Sequence, residues 1–293
     1  MKIPNNELIC PDCYKSLNIT NNLFCKYCNR RFIPIGEIYP LLPSNLEESK
    51  LAENDAHVDM EWIKKPWKIP AFKYLDCLHH EEDIIPLLKS KERILEIGSS
   101  CGWASLNTKL CYPDSKIYVS DISLNSLFVS LSLFKYFKMD METSAFPQAD
   151  MENLPFCDNL FNAVYLWSTI HHAVDPIKAL KEINRVVKKD AVLIVHGESA
   201  FSKPLKYIVE NIYFRSEKKR AKQLGINEKK FTFKEWKEIF QKSNFHDFEM
   251  IHDRDLKFVK TFKQKLSYKI INHIPDNFID KIGCAIHFIA RKH

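Results

Sequence analysis

Through its middle the chain alternates short apolar runs with longer amphipathic ones. Arg93–Ile97 predicts a buried strand ending in a glycine-bearing turn, and Lys116–Ser120 predicts a second strand ending at Asp121. From Ser123 onward, Leu124, Leu127, Phe128, Leu131 and Phe134 recur at helical spacing. Asn162–Trp167 predicts a strand, Asp175-Pro176 the start of a helix running to about Lys188, and Ala191–Val195 a further strand. Strands alternating with helices predict βαβ units and a parallel sheet. Phe248–His252 and Ala285–Ala290 predict two more strands, separated by a long basic helical segment. No internal repeat or low-complexity tract breaks the pattern.

The N-terminal third looks different. Residues 1–43 form a compact unit whose end is punctuated by Pro34, Gly36, Pro40 and Pro43. Residues 44–60 are acidic and polar and predict a linker. Residues 61–90 carry Trp62, Trp67, Phe72 and Tyr74 and then a helix-like stretch through Leu88. Hydrophobic residues make up 45% of the 293 and charged residues 27%, which excludes a wholly disordered chain. No stretch reaches the roughly 18 apolar residues of a spanning helix. Met1–Cys10 has no apolar centre, so a secretory signal is not expected, and a cytoplasmic location is.

The formal net charge is +6. Lys and Arg outnumber Asp and Glu by nine between residues 201 and 270, so the rest of the chain is slightly acidic. Nine cysteines is an odd number, which argues against a closed disulfide framework and for a reducing compartment. Cys10-Pro-Asp-Cys13 and, eleven residues on, Cys25-Lys-Tyr-Cys28 are two tight pairs, whereas Cys77, Cys101, Cys111, Cys157 and Cys284 are scattered. Two C-x-x-C knuckles this close supply four thiolates in the tetrahedral arrangement that zinc prefers, and four protein ligands leave no open position. Cys10, Cys13, Cys25 and Cys28 therefore predict one structural zinc; buried core cysteines are the alternative.

Leu8-Ile-Cys-Pro-Asp-Cys, Cys25-Lys-Tyr-Cys and Phe32-Ile-Pro-Ile-Gly-Glu-Ile-Tyr-Pro-Leu-Leu-Pro43 together resemble the small zinc-ribbon proteins that activate tRNA and translation-factor methyltransferases. The resemblance covers about 40 residues and implies a ribbon that partners a methyltransferase, fused here to one chain.

Residues 93–105 read as strand, turn and helix start. Gly98 and Gly102, two of only six glycines, let a backbone approach a ligand, and the helix N-terminus beyond favours a carboxylate or phosphate. A nicotinamide fingerprint would be G-x-G-x-x-G, but Glu96 to Gly102 is E-x-G-x-S-x-G. That pattern resembles motif I of class I S-adenosylmethionine (SAM) methyltransferases, with Ser100 where the family has a glycine. Asp121 stands at the end of the next strand, 25 residues after Glu96, where an acid can take both ribose hydroxyls. Gln148-Ala-Asp150-Met151-Glu-Asn-Leu-Pro155-Phe156 resembles the family's adenine-contacting segment, with Asp150 on the adenine amino group and Met151 on the ring. Phe161 through Asp175-Pro176 resembles the fourth strand and its loop. The resemblance implies a doubly wound, seven-stranded α/β class I methyltransferase sheet over 93–293. It implies a cofactor set of Glu96, Gly98, Ser100, Gly102, Asp121, Ile122, Asp150, Met151 and Trp167.

Because a sulfonium donor is already activated, such an enzyme mainly aligns an acceptor and excludes water. A general base is needed only for an acceptor proton of high pKa. His171 and His172, after the fourth strand, are the candidates, with loop ordering as their alternative role. Asp175 before Pro176 predicts a helix N-cap. Helical insertions over about 199–230 and 254–282 predict a lid whose basic residues, Lys218, Lys219 and Arg220 among them, would favour an anionic acceptor; a solvated basic face is the plainer alternative. The leading expectation is methyl transfer to O or N of a small-molecule, natural-product or surface-glycan acceptor. An RNA methyltransferase and an inactive scaffold are the alternatives.

Overall fold

The computed structural model describes residues 3–19, 23–54, 58–69, 85–208, 211, 215–252 and 283–292. A 3-10 turn at Asn5–Glu7 precedes β1 (Asn18–Ile19), β2 (Leu23–Cys25) and β3 (Arg30–Phe32), which form a small antiparallel sheet. β4 (Ile38–Pro40) follows, then the short helices α1 (Glu48–Asn54), α2 (Glu61–Lys64) and α3 (Ile85–Leu88). Next come β5 (Arg93–Ile97), α4 (Trp103–Cys111), β6 (Lys116–Ser120), α5 (Leu124–Tyr136), β7 (Ser144–Gln148) and β8 (Phe161–Trp167). The remainder is α6 (Pro176–Val186), β9 (Val187–Phe201), α7 (Lys203–Ile208), α8 (Arg215–Leu224), β10 (Phe231–Thr232), α9 (Phe233–Lys242), β11 (Asp247–His252) and β12 (Gly283–Arg291).

The main sheet runs β11-β12-β9-β8-β5-β6-β7-β4, with β10 beside β9. β5 to β9 are parallel, and β12 is inserted antiparallel between β9 and β11. The seven expected strands are β5, β6, β7, β8, β9, β11 and β12. β9 extends past its apolar centre to Phe201 because β12 and β10 pair with its far end. Successive residues of one strand serve opposite faces. Leu95 belongs to the same apolar cluster as Leu180, Ile183, Trp236 and Phe240 from α6 and α9, whereas Ile94 belongs to a separate one with Ala104 from α4.

Local sequence sets the helix starts. Ser123 accepts from the Ser126 amide, Asp175 from the Ile177 and Lys178 amides, and Thr232 and Glu235 form a reciprocal capping box. The predicted insertion at 254–282 lies outside the described residues.

The cysteine-bearing unit joins the large sheet directly. β4 pairs in parallel with β7, and the Leu41 amide donates to Gln148 O at 3.0 Å. Leu8 bridges Phe156, while Ile9 N donates to Pro155 O and Cys157 N to Glu7 O. Buried Glu7 accepts from the Tyr118 hydroxyl and pairs with Arg93 Nε at 3.0 Å. Leu8, Leu23, Phe32 and Leu41 thereby belong to the same apolar cluster as Tyr118, Phe156 and Phe161.

Candidate cofactor site and cysteine cluster

In the N-terminal unit, Tyr14 and Asn29, each just after a C-x-x-C pair, take φ of 59° and 55°. These left-handed residues turn the chain so that both sulfurs of each pair face inward. Cys10 Sγ lies 4.0 Å from Cys28 Sγ, and Cys13 Sγ lies 3.5 Å from Cys25 Sγ. All four sulfurs are within 4.8 Å of one another. Ligands about 2.3 Å from one tetrahedral ion lie about 3.8 Å apart, so the spacing fits a single ion. Asp12 pairs with Arg30, which donates to Leu42 O at 3.1 Å, and Asp12 Oδ1 accepts from Ser44 N at 2.7 Å. One ion pair thus ties both knuckles to the exit of the unit. Burial pushes the Asp12 carboxyl up, but Arg30 and Ser44 outweigh it and hold the group below its ordinary value.

A second site lies at the carboxyl ends of β5, β6 and β8, where ligands enter doubly wound sheets. It is a cavity of about 350 Å³. Gly98, Ser100, Asp121, Ile122, Asp150, Met151 and Trp167 line it, and so does His172. Glu96, Gly102 and His171 stand behind the wall. Buried Glu96 accepts from the Ser105 amide at 3.1 Å and from its hydroxyl, anchoring α4 beneath the loop; burial raises its pKa to about 8.

The loop is tightly packed. At Gly98 (φ +72°) an added Cβ would come 2.2 Å from the Thr169 side chain, and at Gly102 (φ +74°) 2.7 Å from Ser130. Ser100 adopts φ +50° without being glycine, which costs of the order of 1 kcal/mol. Two bonds hold it there: its amide donates to Asp121 Oδ2 at 2.7 Å, and its carbonyl accepts from Ser130 Oγ at 3.1 Å. Asp121 Oδ1 accepts from the Ser123 amide at 2.8 Å. Burial raises Asp121 to about 6 against the pull of those two amides.

The segment expected to be a linker contributes part of the wall. Lys50 and Glu53 of α1 face the cavity. Lys50 Nζ lies 2.9 Å from Asp150 Oδ2 and 3.2 Å from Glu152 Oε2, all three being buried. Asp150 also accepts from Asn153 Nδ2 at 2.6 Å and from Glu152 N at 3.0 Å. Of a carboxylate's roughly four acceptor positions, about one is left. Sequence pattern could not reveal Lys50, because its partner lies 100 residues away. Replacing Lys50 by Met is expected to leave two buried carboxylates uncompensated and to cost about 3–5 kcal/mol. Thermal melting should show a drop of roughly 6–15 °C; an unchanged melting temperature would remove the pair from the fold's support.

His171 and His172 lie in a 3-10 turn, Ile170–His172. Glu198, near the far end of β9, accepts from the Thr169 and Ile170 amides at 2.9 and 3.0 Å and reaches His171 Nδ1 at 2.8 Å. Burial lowers the His171 pKa, but Glu198 and Glu228 outweigh it and hold it at about 9. Glu228 is pushed up by burial yet held at about 2 by His171 and Lys230. The neighbouring carboxylates thus favour the protonated form of the His171 ring. Trp167 stacks on His196 at 3.7 Å and meets Trp103 edge-on at 4.8 Å.

Of the expected lid, Ile226, just after α8, lines the cavity, and Asn227 Nδ2 reaches Ser49 Oγ at 3.4 Å across the mouth. Lys219, Arg220 and Lys222 of α8 are exposed and do not line the cavity. Among the described residues no helix is long and apolar enough to cross a membrane.

Residues 95–195 match the family model described as "Methyltransferase domain". The fold agrees: the chain superposes on geranyl diphosphate C-methyltransferase from Streptomyces coelicolor A3(2) with a TM-score of 0.56, 11% identity and coverage of 86% of this chain and 100% of that one. It also superposes on a chain from the complex between the Haloferax volcanii Trm112 methyltransferase activator and a putative methyltransferase, with a TM-score of 0.54 and 15% identity, covering 81% and 100%. In sequence it is 32% identical over 123 residues to the ubiquinone/menaquinone biosynthesis C-methyltransferase UbiE of Neisseria meningitidis, covering 40% of this chain and 47% of that protein. The chain thus spans about half the length of the curated relatives it matches. The expected class I methyltransferase fold is the observed one.

Proposed function

We propose that the chain is a SAM-dependent methyltransferase that transfers a methyl group to O or N of a small-molecule, natural-product or surface-glycan acceptor. The observation that carries this reading is the convergence of Gly98, Ser100, Asp121, Ile122, Asp150, Met151 and Trp167 on one cavity within the methyltransferase domain. These residues fit the cofactor. Asp121 would take the ribose hydroxyls, Asp150 has one acceptor position left for the adenine amino group, and Ile122 and Met151 flank an apolar slot. When bound, SAM supplies a methyl group already activated on a sulfonium.

What remains for the protein is alignment and the exclusion of water. α1 and Ile226 close over the cavity from two sides. His172, in the wall, is the side chain we place against the acceptor, and His171, clamped by Glu198, positions it. The polar groups near His172, Glu53 and Glu228, suit an acceptor with O or N at the reacting end. Ser100 reaches the left-handed conformation of the glycine it replaces, which favours an active enzyme over a scaffold.

The cysteine cluster we read as a structural Zn²⁺ site, a built-in counterpart of the separate activator named in the Haloferax complex. The paired thiols and their assigned zinc suit the reducing cytoplasm. Isothermal calorimetry should find one SAM and one S-adenosylhomocysteine site per chain. A folded chain that binds neither would refute the reading.

A further inference from the structure

His171 and His172 come from the turn after β8, and Glu228 from the segment after α8. In both rings Nδ1 is committed outward. His171 Nδ1 lies 2.8 Å from Glu198 Oε2, and His172 Nδ1 lies 2.7 Å from the carbonyl oxygen of Asn227. A carbonyl oxygen can only accept, so His172 Nδ1 carries a proton, and in the neutral tautomer that binds a metal Nε2 has the lone pair. The Glu198 carboxylate selects the same tautomer in a neutral His171. Both Nε2 atoms then turn toward one carboxylate, at 3.6 Å from Glu228 Oε1 and 3.9 Å from Glu228 Oε2. Those separations are too long for hydrogen bonds.

They are close to what an ion needs. Nitrogen and oxygen ligands about 2.1 Å from one tetrahedral ion lie about 3.4 Å apart. The three ligand atoms already lie within 4.8 Å of one another. Metal-binding histidines characteristically donate their other N–H to a carboxylate or a backbone carbonyl, and here one ring does each. Charge points the same way. Glu53, Glu198 and Glu228 surround the two rings, and Lys230 Nζ, 2.6 Å from Glu228 Oε1, answers one of them. The surroundings of the two rings are thus acidic on balance, which suits a cation between them.

We propose that His171, His172 and Glu228 bind one divalent first-row transition-metal ion at the mouth of the cavity. Two imidazoles and one carboxylate leave coordination positions open, as in sites that bind a reactant rather than hold a fold. His172 lines the cavity, so the site borders it. The ion would hold an oxygen-bearing, anionic acceptor; that role rests on the methyltransferase reading, whereas ion binding does not. It also supplies the positive charge that the exposed cations of α8 do not bring to the cavity.

The test uses the full zinc-loaded chain and Mn²⁺, which four thiolates hold poorly, so that the cysteine cluster is not reported. Electron paramagnetic resonance of free Mn²⁺, without SAM, should show about one Mn²⁺ bound per chain. Glu228→Gln should abolish that binding, and Glu198→Gln, acting through His171, should weaken it about 10- to 100-fold. SAM affinity, measured separately without Mn²⁺, should stay within about twofold in Glu228→Gln and Glu198→Gln, neither of which lines the cavity. Should Glu228→Gln fail to fold, His172→Asn serves in its place. Absence of bound Mn²⁺ in the wild-type chain, or binding unchanged in the variants, overturns the site. Loss of SAM binding in the wild-type chain would instead strike the cofactor reading alone.

Discussion

Replacing Cys25 by Ser is expected to release zinc and to destabilise the whole methyltransferase domain, not the N-terminal unit alone. Zinc binding by four-ligand finger peptides is worth roughly 10–16 kcal/mol at neutral pH, more than most single domains have in reserve. A serine hydroxyl at a fully buried thiolate position cannot replace that ligand. The loss spreads because there is no boundary to stop it. Leu8, Phe32 and Leu41 pack in one cluster with Tyr118, Phe156 and Phe161, and β4 covers the edge of β7. Uncoupled, β7 would show an open strand edge, a template for aggregation. Scanning calorimetry should show one transition lowered by more than about 10 °C, and a chelator acting on the wild-type chain should do the same. Cys111→Ser, at a half-buried cysteine outside the cluster, should shift it by no more than a few degrees. If Cys25→Ser lost its metal and melted like the wild type, the cluster would have no structural role.

Asp121→Ala is expected to weaken SAM binding about 10- to 100-fold, the loss of a charge-assisted hydrogen bond of about 1.5–3 kcal/mol. The substitution also strips the Ser100 and Ser123 amides of their acceptor, so the larger figure is expected. The charge should be visible in the pH profile. Burial raises Asp121 to about 6, so in the free chain the folded state favours the protonated form. Its contribution to the stability of the free chain is therefore full below about pH 4 and is lost as pH rises through about 6. Cofactor binding runs the other way: the ionised group accepts from two hydroxyls, so affinity should fall as pH drops below about 6. Calorimetry across pH 5–8 should show that step in the wild type and not in Asp121→Asn. The same affinity and profile in both proteins would dismiss Asp121 from the ribose.

How much of this could be read from sequence follows from the range of each interaction. The strands at 93–97 and 116–120, the caps Ser123 and Asp175, the paired cysteines and the glycine loop ending at Asp121 were legible because each is a local pattern of a few residues. Sequence by itself therefore determined the fold class and one wall of the cavity. It did not determine the opposite wall. Lys50 lies in a stretch with linker composition and acquires its role only when Asp150 is folded against it. No local pattern marks Glu198 or Glu228; β9 and the segment after α8 bring them to His171. Nor did the sequence show that β4 would extend the main sheet, because an edge strand of three residues has no periodicity to detect. Tertiary structure alone decided these points, for a single physical reason: a buried charge or an open strand edge must be satisfied by whatever the fold brings beside it, however distant in the chain.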